Sequence, residues 1–332
     1  MKLFNKLITV FLLLPLIFIA GCKKNNIDPN NTANTGKILF THSSILKNSA
    51  SNDGIYTVNM DGTGQQKLNI NLPEKFYIYN NAASKASPDK KLIFFSGYDA
   101  DYFNGNIYSC YANGSNFQKI ISGGNNQICL ISDTYTIQQQ QKLFYIKVNE
   151  ANYLDLDYEV WTANIDGSNP TEIKIAMPWY LSKFGNEPPK ISPDGAAILF
   201  CGISSLDGNL GIYSCDGSGN NVQLVVGGKA GTYFTLGGTY ILQQQTKILY
   251  LVTDNTTQYL VIANLDGTNQ SIVNIKMPDN VGGQLNPPKL STDGKTVFFA
   301  ASQTGIYSCN IDGSNLKLIM PDPEQVLLGD IL

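Results

Sequence analysis

Short apolar and aromatic runs alternate with small polar turns along this chain, and one such unit occurs six times. Each unit is a run such as IYTVNMDG or IYSCNIDG, followed by a second short run such as LKLIMP. The residue before the final glycine stands at 61, 113, 166, 218, 266 and 312, so the repeat length lies between 46 and 53 residues. A period of this size is typical of β-propellers and solenoids.

A second motif precedes every even unit. It reads SPDKKLIFF at 87–95, SPDGAAILF at 192–200 and STDGKTVFF at 291–299. Pro or Thr followed by Asp-Gly predicts a tight turn, and the apolar run after it predicts a short buried strand. Odd repeats carry glutamines in this place, at 138–141 and 243–245. Because the glutamines keep a fixed repeat position, we interpret them as polar turns and not as a disordered tract.

Each repeat therefore predicts an inner strand, a middle strand, the IYxx strand and an outer strand, which together make a propeller blade. Repeat one has no inner strand, since only Asn- and Thr-rich residues precede Lys37. The last residues, VLLGDIL at 326–332, resemble the inner strands of the other odd repeats. We predict an all-β, six-bladed β-propeller of four-stranded antiparallel blades, whose ring is closed by the C-terminal strand pairing into blade one.

The repeat resembles that of a known family. SPDG, an apolar strand and IYxxxxDGSNxxxL look like the repeat of TolB-like (WD40-like) propellers, and they recur over nearly all of 37–332. The IxxANLDGSN pattern is also similar to the six-bladed repeats of LDL-receptor-type ectodomains, but the Tyr-Trp-Thr-Asp signature is missing. The TolB-like resemblance implies the architecture and leaves the function to the loops, because propellers host many unrelated activities.

The N-terminus predicts export. Two lysines precede an apolar stretch at 7–20, which Gly21 and Cys22 follow directly. This arrangement is typical of a secretory signal peptide, and Ile-Ala-Gly-Cys resembles a bacterial lipobox, whose cysteine receives a diacylglycerol. The alternative is an uncleaved anchor, although the stretch is shorter than the roughly 20 residues of a spanning helix. We predict a lipoprotein signal peptide at 1–21, a flexible tether from lipidated Cys22 at 22–36, and the propeller at 37–332.

The residue after the cysteine bears on location. It is Lys23, whereas the inner-membrane retention signal of this lipoprotein family is an aspartate at that place. The resemblance therefore implies an outer membrane lipoprotein, facing either the periplasm or the cell surface. Net charge is −3, only 15% of residues are charged, and the basic residues form no stripe. We expect no nucleic acid partner, contact with the membrane through the lipid anchor alone, and a monomer.

The positions of the cysteines predict buried packing residues and not a disulfide or metal site. Five remain after Cys22, and three of them occupy the same place in repeats two, four and six, too far apart for a disulfide. We interpret them as small buried hydrophobic residues, with a Cys201–Cys215 bridge as the alternative in an oxidising compartment. Metal-ligand spacings of Cys and His are absent from the sequence, so no metal site is predicted.

Candidate binding residues lie on the long loops, since loops on a rigid scaffold carry binding functions. Their aromatic rings and acids suit a sugar, a peptide or a protein surface. The alternatives are that the rings cap the core, and that the acid pairs are solvated or hold Ca²⁺. The candidate ligand-binding residues are Tyr77, Tyr98, Asp99, Asp101, Tyr102, Tyr153, Asp155, Asp157, Trp179 and Tyr180.

Catalytic signatures are weak. The chain has one histidine, His42, and no nucleophile elbow or phosphate-binding loop. We therefore expect no catalytic residues, no cofactor and no enzymatic activity. The predicted function is a membrane-tethered propeller that binds a protein or carbohydrate on its long-loop face. The alternatives are an envelope-assembly factor of TolB type and a carboxylate-based carbohydrate-active enzyme.

Overall fold

The repeats fold into six antiparallel sheets, and the part of the chain that the structure describes contains no helix. The computed structural model describes residues 36–43, 53–79, 82–98, 105–124, 126–149, 158–184, 188–254, 257–277, 285–322 and 324–332. Residues 35–332 form one compact unit. The predicted signal peptide and most of the predicted tether lie outside the described residues.

The odd blades have outer strands of only two or three residues. Blade one contains β1 (Lys37–Ser43), β2 (Gly54–Asn59) and β3 (Gln66–Lys67). Blade three contains β9 (Gln127–Ile137), β10 (Gln140–Asn149), β11 (Tyr158–Asn164) and β12 (Thr171–Ile173). Blade five contains β18 (Thr232–Leu242), β19 (Gln245–Asp254), β20 (Thr257–Asn264) and β21 (Ser271–Val273).

The even blades have short inner strands. Blade two contains β4 (Tyr77–Ile78), β5 (Lys85–Ala86), β6 (Leu92–Tyr98), β7 (Asn106–Tyr111) and β8 (Gln118–Ile121). Blade four contains β13 (Leu181–Phe184), β14 (Lys190–Ile191), β15 (Ala197–Ser204), β16 (Leu210–Asp216) and β17 (Gln223–Gly227). Blade six contains β22 (Lys289–Leu290), β23 (Thr296–Ala301), β24 (Gly305–Asn310) and β25 (Lys317–Pro321).

The inner strands of blades two and four are each divided into two pieces, where the sequence predicted one strand. In blade four Pro188-Pro189 stands directly before β14, and in blade six Pro287-Pro288 stands directly before β22. Proline has no backbone N–H to donate, so a continuous ladder cannot form across these pairs.

The ring closes as the sequence predicted. β26 (Gln325–Ile331) pairs antiparallel with β1, with Ile38 opposite Ile331 and Phe40 opposite Leu328. In addition, Nζ of Lys90 donates a hydrogen bond to the Ile331 carbonyl at 2.8 Å. The inner strands contact one another in a closed cycle, β26, β5, β9, β14, β18, β22 and again β26. β1 is thus paired on both sides, with β26 and β2, and does not lie at a sheet edge.

The core consists of six apolar clusters, and each cluster lies between two adjacent blades. Phe144 and Phe200 meet between blades three and four, and Phe40 meets Phe298 between blades one and six. Because the middle strand of a blade packs against neighbours on both faces, its sequence is a continuous apolar run and not an alternating one.

The hairpin residues have the structural roles that their repetition predicted. Gln138 and Gln139 both take positive φ, 48° and 64°, as a two-residue type I′ turn requires. Oδ1 of Asp61 accepts hydrogen bonds from the backbone N and Oγ1 of Thr63, at 2.9 and 2.7 Å. A Cβ on the adjacent Gly62 would lie 1.9 Å from the Ile319 carbonyl oxygen of blade six. The hairpins therefore set the spacing between blades as well as the turn.

Candidate functional site

The long loops share one face of the ring. In blades two to six the inner strand ends in a tight turn, the next connection is the longer loop, and the third is the hairpin that ends in glycine. Because successive strands run in opposite directions, the longer loops and the connections between blades lie at the same end. We call this end the loop face.

Trp179 is the most exposed large hydrophobic residue on the loop face, with 80% of its surface accessible. Its backbone is nevertheless fixed: Leu181 N donates to the Pro178 carbonyl at 2.9 Å, and Ser205 Oγ donates to the Trp179 carbonyl at 3.1 Å. The indole thus projects into solvent from a hydrogen-bonded turn. An aromatic ring on a fixed backbone loses little entropy on binding, which suits a contact residue.

Tyr77 and Tyr98 form a second aromatic site at the edge of blade two. They are opposite each other in the β4–β6 ladder, and their rings stack with centroids 5.3 Å apart. Tyr79 meets Tyr98 edge-on at 6.0 Å. Burial raises the pKa of the Tyr98 hydroxyl, and the neighbouring Tyr77 raises it further. Tyr77 is 40% exposed, so this stack presents one ring to solvent and supports it with the other.

The other candidates divide into two groups. Tyr180 packs partly against the core between blades three and four, so it also has the core-capping role that the sequence left open. Its ring meets Trp179 edge-on at 5.9 Å. The remaining candidates lie outside the described residues: Asp99, Asp101, Tyr102, Tyr153, Asp155 and Asp157.

The centre of the ring holds a group of charged residues that the sequence reasoning missed. Lys85, Lys190 and Lys289 pair with Phe94, Leu199 and Phe298, which are equivalent residues of the three even blades. Lys85 and Lys289 are buried, 2% and 7% exposed. The available signal was the lysine that stands two residues before SPD or STD in every even repeat.

Two aspartates face these lysines from the odd blades. Asp133 of blade three pairs with Phe144, and Asp330 follows the same register in β26. In blade five this place belongs to Gly238, which pairs with Leu249. Asp330 also accepts a hydrogen bond from Ala86 N at 2.8 Å, so it joins blades one and two through the backbone as well.

Three ion pairs and one long hydrogen bond hold the lysines of this central group. Nζ of Lys85 lies 3.8 Å from Oδ1 of Asp133 and 3.8 Å from Oδ1 of Asp330. Nζ of Lys289 lies 3.7 Å from the same Asp330 oxygen. Nζ of Lys190 lies 3.5 Å from Oγ of Ser132, whose hydroxyl donates to the Pro189 carbonyl.

The environment shifts the pKa values of two members of this group. Burial lowers the pKa of the Lys85 ammonium, and the like charge of Lys289 lowers it further, against the opposing effect of the two aspartates. Burial alone would raise the pKa of the Asp330 carboxyl, but Lys85 and Lys289 outweigh it and the pKa is lowered. Asp330 is therefore ionised at neutral pH.

A cavity of about 70 Å³ lies at the loop-face end of this group. Its described wall contains all three lysines and, besides them, apolar residues and prolines such as Leu236, Pro188 and Pro287. Neither Asp133 nor Asp330 lines it. The cationic side of the ion-pair group thus faces the cavity.

His42 contributes to the structure at the point where the ring closes. Its Nε2 lies 3.2 Å from Oδ2 of Asp322 and 3.7 Å from Oε2 of Glu324, and both His42 and Asp322 are buried. These acids stand between β25 and β26, so the cluster joins the end of blade six to β1 at the ring closure.

The described cysteines are free and buried: Cys110, Cys129, Cys201, Cys215 and Cys309. Cys201 lies opposite Ile212 in the ladder, and Cys215 lies opposite Ile198. The two cysteines of the alternative disulfide are therefore not opposite each other. Burial raises the pKa of the Cys110, Cys129 and Cys215 thiols to about 12. These thiols pack as small hydrophobic groups.

Among the described residues there is no group of three or more His, Cys, Asp or Glu side chains placed to hold a metal ion. They also include no helix long and apolar enough to cross a bilayer.

Comparisons with known proteins give similarity of structure. No family model and no curated protein matches the chain. TolB from Acinetobacter baumannii is 14% identical, with 89% of this chain and 67% of that chain covered and a TM-score of 0.60. Kuenenia stuttgartiensis hydrazine synthase is 15% identical, with 89% and 46% covered and a TM-score of 0.62. An oligogalacturonate lyase in complex with manganese is 12% identical, with 81% and 71% covered and a TM-score of 0.52.

These similarities show a shared fold. The TolB-like resemblance of the sequence repeat is confirmed at the level of the six-bladed propeller. The same propeller occurs in proteins named as a synthase and as a lyase, so the fold by itself does not decide between binding and catalysis.

Proposed function

We propose that this protein is a non-catalytic, membrane-tethered propeller that binds a protein or carbohydrate partner on its loop face. The observation that carries the proposal is Trp179, a large ring 80% exposed on a hydrogen-bonded turn. The stacked pair of Tyr77 and Tyr98 supports it with a second exposed aromatic surface. Rings of this kind contribute most of the binding energy at many interfaces.

The environment of Asp330 does not suit general acid catalysis. A carboxylate-based glycosidase needs one carboxyl group that is protonated at working pH. The pKa of Asp330 is lowered, and its oxygens are engaged by Lys85, Lys289 and the Ala86 amide. Asp330 is therefore unsuited to act as a general acid.

A location in the cell envelope is part of this proposal. It rests on the lipobox-like Ile-Ala-Gly-Cys ending at Cys22, and the likeness to the TolB propeller agrees with it. We expect Cys22→Ser to move the protein from the membrane fraction to the soluble fraction and to abolish labelling by an alkyne fatty acid. Equal membrane association of both forms would remove the tether from the proposal.

The binding proposal is tested with residues 36–332, within which the ring closes on itself. This fragment is applied to an array of envelope and plant polysaccharides and, in parallel, crosslinked to envelope proteins from position 179. Trp179→Ala should weaken any specific binding by about tenfold or more. Tyr111→Ala is the matched control, because Tyr111 is 48% exposed at the opposite end of blade two.

The outcomes separate the alternatives. Loss of binding in Trp179→Ala alone locates the partner on the loop face. Equal loss in both variants, or binding that neither variant alters, contradicts that location. Turnover of a bound polysaccharide would replace the binding role with the carbohydrate-active alternative, and crosslinks confined to envelope-assembly proteins would favour the TolB-type alternative.

A further inference from the structure

A second large apolar side chain is exposed in the blade that carries Trp179. Leu206 lies in the connection between β15 and β16 of blade four and is 70% exposed. The corresponding connection of blade six consists of the polar residues Ser302-Gln303-Thr304. The repeat itself therefore does not require a leucine at this place, and Leu206 is not part of the shared scaffold.

The backbone holds the Leu206 connection against the Trp179 turn. Ser205, the residue before Leu206, donates from its backbone N to the Tyr180 carbonyl at 2.8 Å. Its Oγ donates to the Trp179 carbonyl at 3.1 Å. Two exposed apolar side chains thus project from adjacent segments that are hydrogen-bonded to each other. An exposed apolar patch rimmed by polar residues is typical of an interaction surface, and its fixed backbone lowers the entropic cost of binding.

An exposed carboxylate follows the leucine. Oδ1 of Asp207 accepts a hydrogen bond from Asn209 N at 3.1 Å, and Oδ2 accepts one from Asn209 Nδ2 at 2.8 Å. The hydrogen bond from Asn209 N, and after it that from the Ser204 side chain, lowers the pKa of the Asp207 carboxyl, so the group is ionised at neutral pH. A negative charge is therefore fixed beside the apolar pair, and a cationic group of a partner is complementary to it.

Leu206 favours a polypeptide over a carbohydrate as the partner. An aliphatic side chain has no hydrogen-bond donor or acceptor, so sugar hydroxyls that cover it lose the hydrogen bonds that water gave them. An apolar side chain of a protein that covers Leu206 removes apolar surface of both molecules from water, which is favourable.

The position of β1 favours a protein over the lipid bilayer. Lys37, the first residue of β1, lies opposite Asn59, directly before the Asp61 hairpin. The predicted tether therefore joins the propeller at the end opposite the loop face. In addition, the charge of Asp207 is repelled by anionic lipid headgroups.

We propose that Trp179, Leu206 and Asp207 form a contact surface for a protein segment that carries a large apolar side chain next to a lysine or arginine. The apolar side chain covers Trp179 and Leu206, and the cationic group pairs with Asp207. This inference rests on the proposed binding function and narrows the partner of the loop face to a polypeptide. It places the contact on blade four, away from the charged group at the centre of the ring.

The probe is a library of short random peptides displayed on phage and selected on residues 36–332. Enriched peptides are synthesised, and their binding is followed by the fluorescence of Trp179 in a Trp161→Phe background, since the chain has only these two tryptophans. We expect the enriched peptides to combine a large apolar residue with a nearby lysine or arginine. Their binding should shift the Trp179 emission to shorter wavelength, because the indole leaves water.

Leu206→Ser should weaken peptide binding about tenfold. Leu318→Ser is the control and should leave it unchanged, since Leu318 is 48% exposed on the outer strand of blade six. Asp207→Asn keeps an acceptor for Asn209 N, and it should weaken binding about threefold and remove most of the dependence of binding on salt. Asp207→Lys should select peptides with an acidic residue in place of the basic one. A thermal unfolding scan checks that each variant is folded.

The outcomes separate this inference from the proposed function. Peptides that bind wild type and Leu206→Ser equally, or a library without enrichment, overturn the inference. A polysaccharide whose binding depends on Trp179, found while no peptide is enriched, overturns the polypeptide assignment and leaves the binding function in place. A shift of the Trp179 emission on vesicles of phosphatidylethanolamine and phosphatidylglycerol, but not with any peptide, assigns the surface to the bilayer instead. If neither peptide, polysaccharide nor crosslinked protein depends on Trp179, the proposed function fails as well.

Discussion

Nζ of Lys85 lies 3.8 Å from Oδ1 of Asp330, which links the inner strand of blade two to the last strand of the chain. The same carboxylate accepts the Ala86 backbone N–H at 2.8 Å. The ion pair therefore reinforces the closure of the ring from its centre, while the β1–β26 ladder closes it within blade one.

Neutralising Asp330 should destabilise the propeller. In Asp330→Asn, Lys85 and Lys289 lose a shared counter-charge in a buried place, and a broken buried pair typically costs about 3 kcal/mol or more. Asp133→Asn is the matched comparison. It should lose less stability, because Ala86 N donates to Asp330 whereas no backbone N–H of the described residues donates to Asp133. Urea unfolding measures both, and equal stability of wild type and Asp330→Asn would contradict the role of this pair.

The contribution of Asp330 to the stability of the fold should decrease at acid pH. Its pKa is lowered in the folded state, so its stabilisation is present above the unfolded-state pKa of about 3.9 and is lost as pH falls through the folded value. The unfolding free energies of wild type and Asp330→Asn should therefore differ at pH 7 and converge below about pH 4. A difference that persists undiminished at pH 2 would assign the effect to something other than the charge.

Truncating a buried side chain of the closing strand should lower the free energy of unfolding more than truncating an exposed side chain of an outer strand. Leu328 is 2% exposed and packs in the cluster between blades one and six, so Leu328→Ala should lose about 2–5 kcal/mol. Leu318→Ala on β25, 48% exposed, should change stability by less than about 0.5 kcal/mol. Thermal denaturation compares them, and similar midpoints would mean that β26 is not needed for closure.

The thiols should be inert in the folded protein. Burial raises the pKa of Cys110, Cys129 and Cys215 to about 12 and that of Cys309 to about 11, so almost no thiolate is present at pH 8. A disulfide-exchange reagent should label these residues only after guanidinium is added. Rapid labelling of the native protein at pH 8 would show that the blades open readily.

The sequence by itself determined the number of blades, the hairpins and the closing strand. The hairpins depend on residues close together in the chain, and the number of blades and the closing strand follow from the repetition of similar segments. Paired glutamines and Asp-Gly steps set turns locally, and apolar runs of strand length report burial on both faces. The C-terminal VLLGDIL could be assigned to blade one because it matches the other odd inner strands, and the structure confirms the assignment.

The sequence also indicated which loops are long, and therefore Trp179 and the tyrosines as candidates. It did not separate Trp179, which is 80% exposed, from Tyr180, which packs partly against the core. Trp179 and Tyr180 are adjacent aromatic residues of one loop, so the hydrophobic pattern of the sequence does not tell which of them is buried. Their burial depends on which neighbouring blade each side chain meets.

Only the tertiary structure brought together the charged residues at the centre of the ring, where the three lysines, and neither aspartate, line a cavity: Lys85, Lys190, Lys289, Asp133 and Asp330. About a hundred residues separate each of these lysines from the next, and each of them occurs in an otherwise apolar inner strand. Ring closure places equivalent residues of every blade at one axis, and strand register decides which of them face it. Gly238 can be compared with Asp133 only within that ring, because strand register places the two residues at equivalent positions of blades five and three.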